Sequence, residues 1–70
     1  MASNTPSVLS PRERDVLQAI ADGMTRREIA SAFHLSHWTI TDHLTRTRAK
    51  LRARTVAEAV AEGFRRGSLL

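Results

Sequence analysis

Serine, aspartate and histidine side chains occur close together in the middle of the sequence, at Ser36, Asp42 and His43. They are the residue types of a hydrolytic triad, in which the acid orients the histidine that activates the serine. Adjacent residues on a helix point about 100° apart, so Asp42 and His43 cannot form that relay. His34 and His37 are three residues apart with no third ligand evident. We therefore expect no enzyme, no metal site, no other cofactor and no small-molecule substrate.

The length and composition of the chain narrow the classes of protein further. Its 70 residues form one small domain at most, which leaves little room for a catalytic cleft. It has no cysteine, so neither disulfides nor thiolate zinc ligands can stabilise it. No apolar run approaches the roughly 20 residues that span a bilayer, and the first residues lack the features of a signal peptide. We expect a cytoplasmic protein with no membrane partner.

Positive charge is concentrated in the middle of the chain. The net charge is +4 overall, and residues 24–54 carry seven basic residues against two acidic ones. Such a block suits a polyanion, but it is also common on an ordinary solvated surface. The order of the structural elements must decide between these interpretations. The basic residues are Arg26, Arg27, Arg46, Arg48, Lys50, Arg52 and Arg54.

Signals for helix starts divide the chain into four predicted helices. Three capping boxes begin at Ser10, Thr25 and Thr55, and Ser36 can cap a further helix. Gly23 and Gly67 are typical helix ends, and no strand pattern is present. The expected fold is all-α, a bundle-like domain over residues 9–70 with helices at about 11–22, 26–33, 37–51 and 56–66, preceded by a flexible tail at 1–8.

The second and third predicted helices are the most informative pair. A helix of two turns, a three-residue turn and a longer helix are typical of a helix-turn-helix, in which the first helix braces the second against DNA. The turn begins at His34, where many such motifs have glycine. If the backbone there is left-handed, histidine tolerates it better than a β-branched residue, but some strain is expected. We predict that the helix starting near His37 enters the major groove of double-stranded DNA.

The faces of this third helix follow from a rotation of 100° per residue. Cationic side chains at its edges can contact phosphates while short polar side chains between them meet base edges. The alternative is that these side chains only solvate the outer face of a core helix. The predicted inner face is Ile40, Leu44, Thr47 and Leu51. The outer face is Trp38, Asp42, Thr45 and Ala49, with Thr39, Arg46 and Lys50 along one edge and Thr41, Arg48 and Arg52 along the other.

An ordered series of short motifs resembles the LuxR/GerE family over about residues 9–70. The resemblance implies a four-helix DNA-binding domain of bacterial transcription regulators, which commonly dimerises through its last helix and binds imperfect inverted repeats. The motifs are Leu9-Ser10-Pro11-Arg12-Glu13-Arg14, Val16-Leu17, Gly23-Met24-Thr25, Glu28-Ile29-Ala30, Leu35-Ser36, Thr39-Ile40, His43, Lys50-Leu51 and Glu58-Ala59-Val60.

The resemblance also implies which residues contact DNA. It assigns base contacts to Thr41, Asp42 and Thr45, and backbone contacts to Ser36, Thr39, Arg46 and Lys50. We add Arg48 and Arg27 as phosphate contacts because of their charge. Trp38 is either a packing residue or a contact to phosphate, sugar or a thymine methyl.

Several residues depart from the family pattern. Asp42 stands where the family often has a neutral residue, and it can either accept from a cytosine amino group or repel phosphates in wrong registers. Thr41 stands where lysine is frequent, so base preference cannot be transferred. Thr47 replaces an aliphatic residue, and Arg52 replaces a glycine, which leads us to expect a reshaped turn.

The fourth helix has two apolar faces. We expect Ala57, Val60, Ala61 and Phe64 to pack on the core. The small residues Val56, Ala59 and Gly63, with Leu69 and Leu70, then form either a homodimer interface or an indifferent surface.

Two other functions stay open at this point. One is a module like region 4 of sigma factors, because the arginine-rich segment 46–52 resembles the end of that domain's recognition helix, and its partner is RNA polymerase. The other is a helical adaptor that binds protein, which would show no salt-dependent binding to duplex DNA.

Overall fold

The computed structural model describes residues 8–70, which form four α-helices and no strand. α1 spans Pro11–Ala21, α2 Arg26–Phe33, α3 His37–Leu51 and α4 Val56–Arg65. The predicted all-α fold is confirmed, with α2 and α3 at the predicted bounds and α1 and α4 each one residue shorter. Of the tail predicted at 1–8, only Val8 lies among the described residues, and its side chain is exposed.

Side-chain caps begin the helices as predicted, with one difference at α4. The Glu13 N–H donates to Ser10 Oγ and the Ser10 N–H donates to Glu13 Oε1, which completes the first box. At α4 the Glu58 N–H donates to Thr55 Oγ1, but Glu58 accepts the N–H of Arg54 at 2.9 Å instead of that of Thr55. The third predicted capping box is therefore wrong in one arm. The more extended φ of −135° at Thr55 turns its own N–H away from the carboxylate.

α3 is the central element, because it packs against each of the other three helices. Its inward side chains, Ile40, Leu44, Thr47 and Leu51, are all at most 2% exposed, which confirms the predicted inner face. The buried apolar cluster around them includes Val16 and Leu17 of α1 and Ile29 of α2. The core therefore holds α3 by one side only and leaves its outer side free.

The turn between α2 and α3 has the geometry of a helix-turn-helix. His34 ends α2 with φ +57°, a left-handed conformation that histidine adopts at this position instead of glycine. The N–H of Leu35 then donates to the carbonyl of Ala30 at 2.9 Å, which closes the end of α2. Ala30 is buried, so α2 lies close under α3. Phe33 is half-buried, with the guanidinium of Arg12 4.9 Å above its ring.

The two faces of α4 are mostly the reverse of the prediction, although Val60 packs against the core as expected. Ala59 and Gly63 lie in the core of the chain itself, whereas Ala57, Ala61 and Phe64 are exposed and Val60 is half-buried. A Cβ on Gly63 would come within 2.9 Å of the Leu69 side chain and 3.4 Å of Leu17. The small residues thus allow α4 to approach α1 and the returning C-terminal segment, where Leu69 is 5% exposed. The predicted homodimer interface of Val56, Ala59 and Gly63, with Leu69, is therefore wrong, because Ala59, Gly63 and Leu69 are buried within the chain itself. Val56 is partly accessible, and Leu70 is fully exposed.

Candidate nucleic-acid interface

The start of α3 presents a polar cap and a large aromatic side chain. Ser36 Oγ accepts the N–H of Thr39 at 3.0 Å and lies 2.9 Å from Thr39 Oγ1. This cap fixes the first turn and aligns the free N–H groups at the helix start outward. Trp38, in the same turn, is 73% exposed. The interpretation of Trp38 as a packing residue is therefore wrong for the described chain.

Hydrogen bonds hold the two threonines of the outer face in defined positions. Thr45 Oγ1 donates to the backbone carbonyl of Thr41 at 3.0 Å. Thr41 Oγ1 accepts from the guanidinium of Arg26, which lies 15 residues earlier on α2, at 3.3 Å. Thr45 is exposed and Thr41 half-buried. The helix-turn-helix therefore fixes both hydroxyl groups before any partner binds.

Asp42 and Arg46 form an ion pair one turn apart on the same face. Arg46 Nη2 lies 3.0 Å from Asp42 Oδ2, and the Arg46 side chain is 62% exposed. A pair this exposed contributes little to stability. It does bring a carboxylate acceptor and a cation together beside Thr45, so the negative charge of Asp42 is partly balanced locally.

The other predicted phosphate contacts are less free than their charge suggests. Lys50 Nζ donates to Glu13 Oε1 on α1 at 2.7 Å, and Arg48 Nη1 donates to the carbonyl of Arg54 at 2.9 Å. Both side chains therefore have partners within the chain, one across to α1 and one at the turn into α4. Arg27 is exposed at the start of α2. The basic block is thus partly structural and partly available to a partner.

Glu13 is the buried charge that anchors α3. Its side chain is only 4% exposed, and it serves both as the cap of α1 and as the partner of Lys50. Burial alone would raise its pKa, but the hydrogen bond from Lys50, the N–H of Ser10 and the charge of Lys50 together lower the pKa below its ordinary value of 4.5. The carboxylate is therefore ionised near neutral pH, and it ties the last turn of α3 to the first turn of α1.

Glu13 and Arg26 belong to this region, although the sequence alone does not place them there. The capping pattern at Ser10 predicts only a helix cap for Glu13, and Lys50 lies 37 residues further along the chain. Arg26 belongs to the basic block, where no pattern predicts its partner. No local sequence signal identifies either pair, because each depends on how two helices pack.

The residues considered for catalysis or metal binding do not form such a site in the described chain. The hydroxyl of Ser36 is engaged in the helix cap, and His43 Nδ1 is buried without a hydrogen-bond partner. Residues 8–70 contain no group of three or more histidine, cysteine, aspartate or glutamate side chains that could hold a metal ion. Within the same residues, no helix is long and apolar enough to cross a membrane.

A buried inner face on α3, a left-handed turn at His34 and an exposed polar outer face together define a helix-turn-helix domain. The model of the family described as bacterial regulatory proteins, luxR family, matches residues 7–62. The chain belongs to this family, which is one of transcription regulators and not of enzymes.

Similar proteins agree with this assignment. The solved structure of the transcription factor GerE superposes with a TM-score of 0.89 and 28% identity, covering 93% of this chain and 97% of that one. BvgA of Bordetella pertussis, named as a transcription regulator of virulence factors, is 43% identical over 77% of the chain. VjbR of Brucella abortus, a quorum sensing-dependent transcriptional regulator, is 35% identical over 94% of the chain.

The chain is much shorter than BvgA and VjbR, although it covers nearly all of the GerE structure. The alignment spans 26% of BvgA and of VjbR, and only 7% of an HTH-type transcriptional regulator of Mycobacterium bovis that is 38% identical over 60 residues. The family assignment therefore concerns one domain of such regulators.

Proposed function

We propose that the protein binds double-stranded DNA in a sequence-specific manner and regulates transcription, with α3 in the major groove. The observation that carries this proposal is the exposed outer face of α3, where Trp38, Thr45 and Arg46 are accessible and surrounded by basic residues. A helix of 15 residues held by one side on the core can enter the major groove of B-DNA.

The side chains divide into two groups by what they can contact. We assign short polar groups and one aromatic ring to base edges, and hydroxyls and cations to phosphates. Trp38 supplies a flat apolar surface for a sugar or a thymine methyl. The base contacts we propose are Trp38, Thr41, Asp42 and Thr45. The phosphate contacts are Ser36, Thr39, Arg27 and Arg46. Lys50 and Arg48 can also contact phosphates, but only if Lys50 leaves Glu13 and Arg48 leaves the carbonyl of Arg54.

Asp42 has two roles that fit its position. Its carboxylate can accept a hydrogen bond from a cytosine amino group, or it can repel phosphates when the helix sits in a wrong register. The ion pair with Arg46 supports the first role, because a partly neutralised carboxylate enters the groove at lower electrostatic cost. Asp42→Asn keeps the acceptor oxygen and removes the charge. Under the first role it weakens selectivity at one base pair, and under the second it strengthens binding to all duplexes.

Salt titration with a random-sequence duplex tests DNA binding directly. Affinity measured by fluorescence anisotropy should fall with salt concentration, with a slope proportional to the number of phosphate contacts. Selection of bound sequences from the same library should enrich one motif. Trp38→Ala should lose most of the specific component, while Arg66→Met, a charge loss at the end of α4 where Arg66 pairs with Glu62, should leave the motif unchanged. Absence of any salt-dependent binding would favour a protein-binding adaptor instead.

We further propose that the protein acts as a homodimer on an inverted repeat, through the outer face of α4. This surface consists of Ala57, Val60, Ala61 and Phe64, and Phe64 is 47% exposed. Its apolar residues are one to two turns apart, so a second copy related by a twofold axis would cover them. Half-sites would then be about one helical turn apart.

Sedimentation equilibrium with and without DNA tests the homodimer. Phe64→Glu should shift the assembly toward monomer and reduce cooperative binding to an inverted repeat. Leu70→Glu places the same charge on a fully exposed apolar residue outside the surface and serves as the control. A wild-type protein that stays monomeric both free and on DNA would exclude the dimer.

The cellular site and one further partner follow from this function. A DNA-binding regulator acts in the cytoplasm on the nucleoid, and it can reach RNA polymerase when its binding site lies near a promoter. A pull-down of RNA polymerase subunits in the presence and absence of operator DNA would test the second point.

A further inference from the structure

We propose that the two hydroxyls on the outer face of α3 have fixed and opposite hydrogen-bonding roles: Thr41 donates to a base acceptor, and Thr45 accepts from a base amino group. This inference rests on the proposed function and specifies what the interface recognises. It depends on which hydrogen-bonding capacity of each hydroxyl is already used within the chain.

A threonine hydroxyl has one hydrogen to donate and two lone pairs to accept. At Thr45 the hydrogen is used, because Oγ1 donates to the Thr41 carbonyl at 3.0 Å. Only its lone pairs remain for a partner. Thr45 is exposed, so those lone pairs face outward.

Thr41 is in the opposite situation. A lone pair of its Oγ1 receives the guanidinium of Arg26 at 3.3 Å, and nothing within residues 8–70 accepts its hydrogen. Arginine can only donate, so this contact cannot reverse its direction. A further donor approaching Thr41 would meet a hydroxyl whose oxygen lies beside a cation. The favourable partner is therefore an acceptor.

Asp42 adds to the acceptor side of the surface. Its carboxylate lies between the two threonines in sequence, and an ionised carboxylate only accepts. Among these three side chains, Thr41 is the donor and Asp42 and Thr45 are the acceptors. In the major groove the acceptors are N7 and O6 of guanine, N7 of adenine and O4 of thymine, and the donors are the amino groups of adenine and cytosine. Thr41 then favours a purine N7, a guanine O6 or a thymine O4 over the cytosine amino group, and Thr45 favours adenine or cytosine.

Arg26 becomes a specificity-determining residue without touching a base. It fixes the direction of the Thr41 hydroxyl from α2, whose other proposed contact with DNA is that of Arg27 to phosphate. If Arg26 were absent, the hydroxyl could rotate and either donate or accept. Arg27, next to it and exposed, has no such contact, and it offers a control of equal charge.

The test combines protein variants with single-atom changes in the DNA. The probe is the duplex that the wild-type protein enriches from a random library. At each position an acceptor is removed or weakened with a 7-deazapurine, 6-thioguanine or 4-thiothymine, or a donor is removed with purine in place of adenine or 2-pyrimidinone in place of cytosine. Anisotropy gives the affinity for each duplex, and a lost neutral hydrogen bond should cost about three- to tenfold.

The affinity loss caused by a base analogue should be absent from a protein variant that lacks the side chain contacting that base. One acceptor analogue should weaken the wild type and Thr41→Ser but not Thr41→Val, and one donor analogue should weaken the wild type but not Thr45→Val. Arg26→Met should reduce the effect of the acceptor analogue at the Thr41 position, whereas Arg27→Met should lower affinity for all duplexes and keep that effect. Circular dichroism confirms that each variant is folded.

Three results would overturn the proposal. The first is that Thr41→Val removes the affinity loss caused by a donor analogue, or by no analogue. The second is that Thr45→Val removes the loss caused by an acceptor analogue, or by no analogue. The third is that Arg26→Met leaves the loss caused by the acceptor analogue at the Thr41 position unchanged. If the wild-type protein enriches no sequence at all, the proposed function fails instead. The two failures are therefore distinguished by the first step of the experiment.

Discussion

The two halves of α3 are built for different purposes. In the first half, from His37 to Arg46, Trp38, Thr45 and Arg46 are exposed. The hydrogen bonds of this half lie within the helix-turn-helix. In the second half, from Thr47 to Leu51, Lys50 bonds to α1 and Arg48 to the turn before α4. One half is thus available to a partner, and the other is fixed to the rest of the domain. Positive charge in a DNA-binding helix is therefore not evidence by itself of contact with phosphate.

The largest expected effect is the difference between the stability lost when a buried side chain of α3 is truncated and the stability lost when an exposed one is truncated. Leu51→Ala should lower the free energy of unfolding by about 2–5 kcal/mol, because Leu51 is buried and leaves a cavity. Trp38→Ala should change it by less than about 0.5 kcal/mol, since Trp38 is mostly exposed. Urea unfolding followed by circular dichroism measures both. An equal loss in the two variants would mean that the halves are not distinct.

The second effect concerns the ion pair that anchors the second half. Glu13→Gln keeps an oxygen for the Ser10 N–H and removes the charge facing Lys50. We expect the free energy of unfolding to fall by about 1 kcal/mol at pH 7. The effect is this small because Lys50 is 41% exposed and solvent screens its charge. Asp15→Asn, an exposed change on the same helix, should have no comparable effect.

The pH dependence of this loss has a definite sign. The folded-state pKa of Glu13 is lowered below its ordinary value of 4.5, so the unfolded chain binds the proton first as the pH falls. The stabilisation is therefore fully present above this pH and is lost as the pH falls below it. Wild type and Glu13→Gln should converge in stability at acidic pH. A constant difference between them down to the acid-unfolding region would contradict this role.

The third effect is smaller and concerns the end of α3. Arg52 adopts a left-handed backbone with φ +56°, and the turn keeps the shape that a glycine would give it, contrary to the expected reshaping. Arg52→Gly should raise the free energy of unfolding by about 0.5–1 kcal/mol. Glycine removes the strain of the left-handed backbone, and part of that gain is lost because glycine gives the unfolded chain more conformational freedom. Arg66 ends α4 in the right-handed region. Arg66→Gly should therefore destabilise, and a shared sign in thermal unfolding would refute the interpretation.

Some parts of the structure could be predicted from the sequence alone. The helix bounds followed from Ser10, Thr25, Ser36 and Thr55, because capping is local and depends on residues three apart. The inner face of α3 followed from periodicity, because its large aliphatic side chains, Ile40, Leu44 and Leu51, lie on one side only. Both predictions needed no knowledge of how the helices pack.

The faces of α4 could not be determined in this way. Apolar or small residues occur on both of its sides, so periodicity alone does not distinguish the core face from the surface. The choice was made by the close approach that Gly63 permits, with Leu69 returning over it. The same limit applies to Glu13 with Lys50 and to Arg26 with Thr41. Each pair joins two helices whose relative placement is set by the core and not by either sequence segment.

The smallest effect sharpens the division of α3 at the level of DNA binding. Each phosphate contact changes the dependence of log affinity on log salt concentration by about 0.9. Arg46→Met, in the exposed half, should reduce the magnitude of this slope by about that amount. Lys50→Met should reduce it by less than half as much, because Lys50 Nζ pairs at 2.7 Å with the buried Glu13, whereas Arg46 pairs at 3.0 Å with the more exposed Asp42. Equal changes in slope would mean that Lys50 exchanges Glu13 for phosphate on DNA, so the second half would belong to the interface as well.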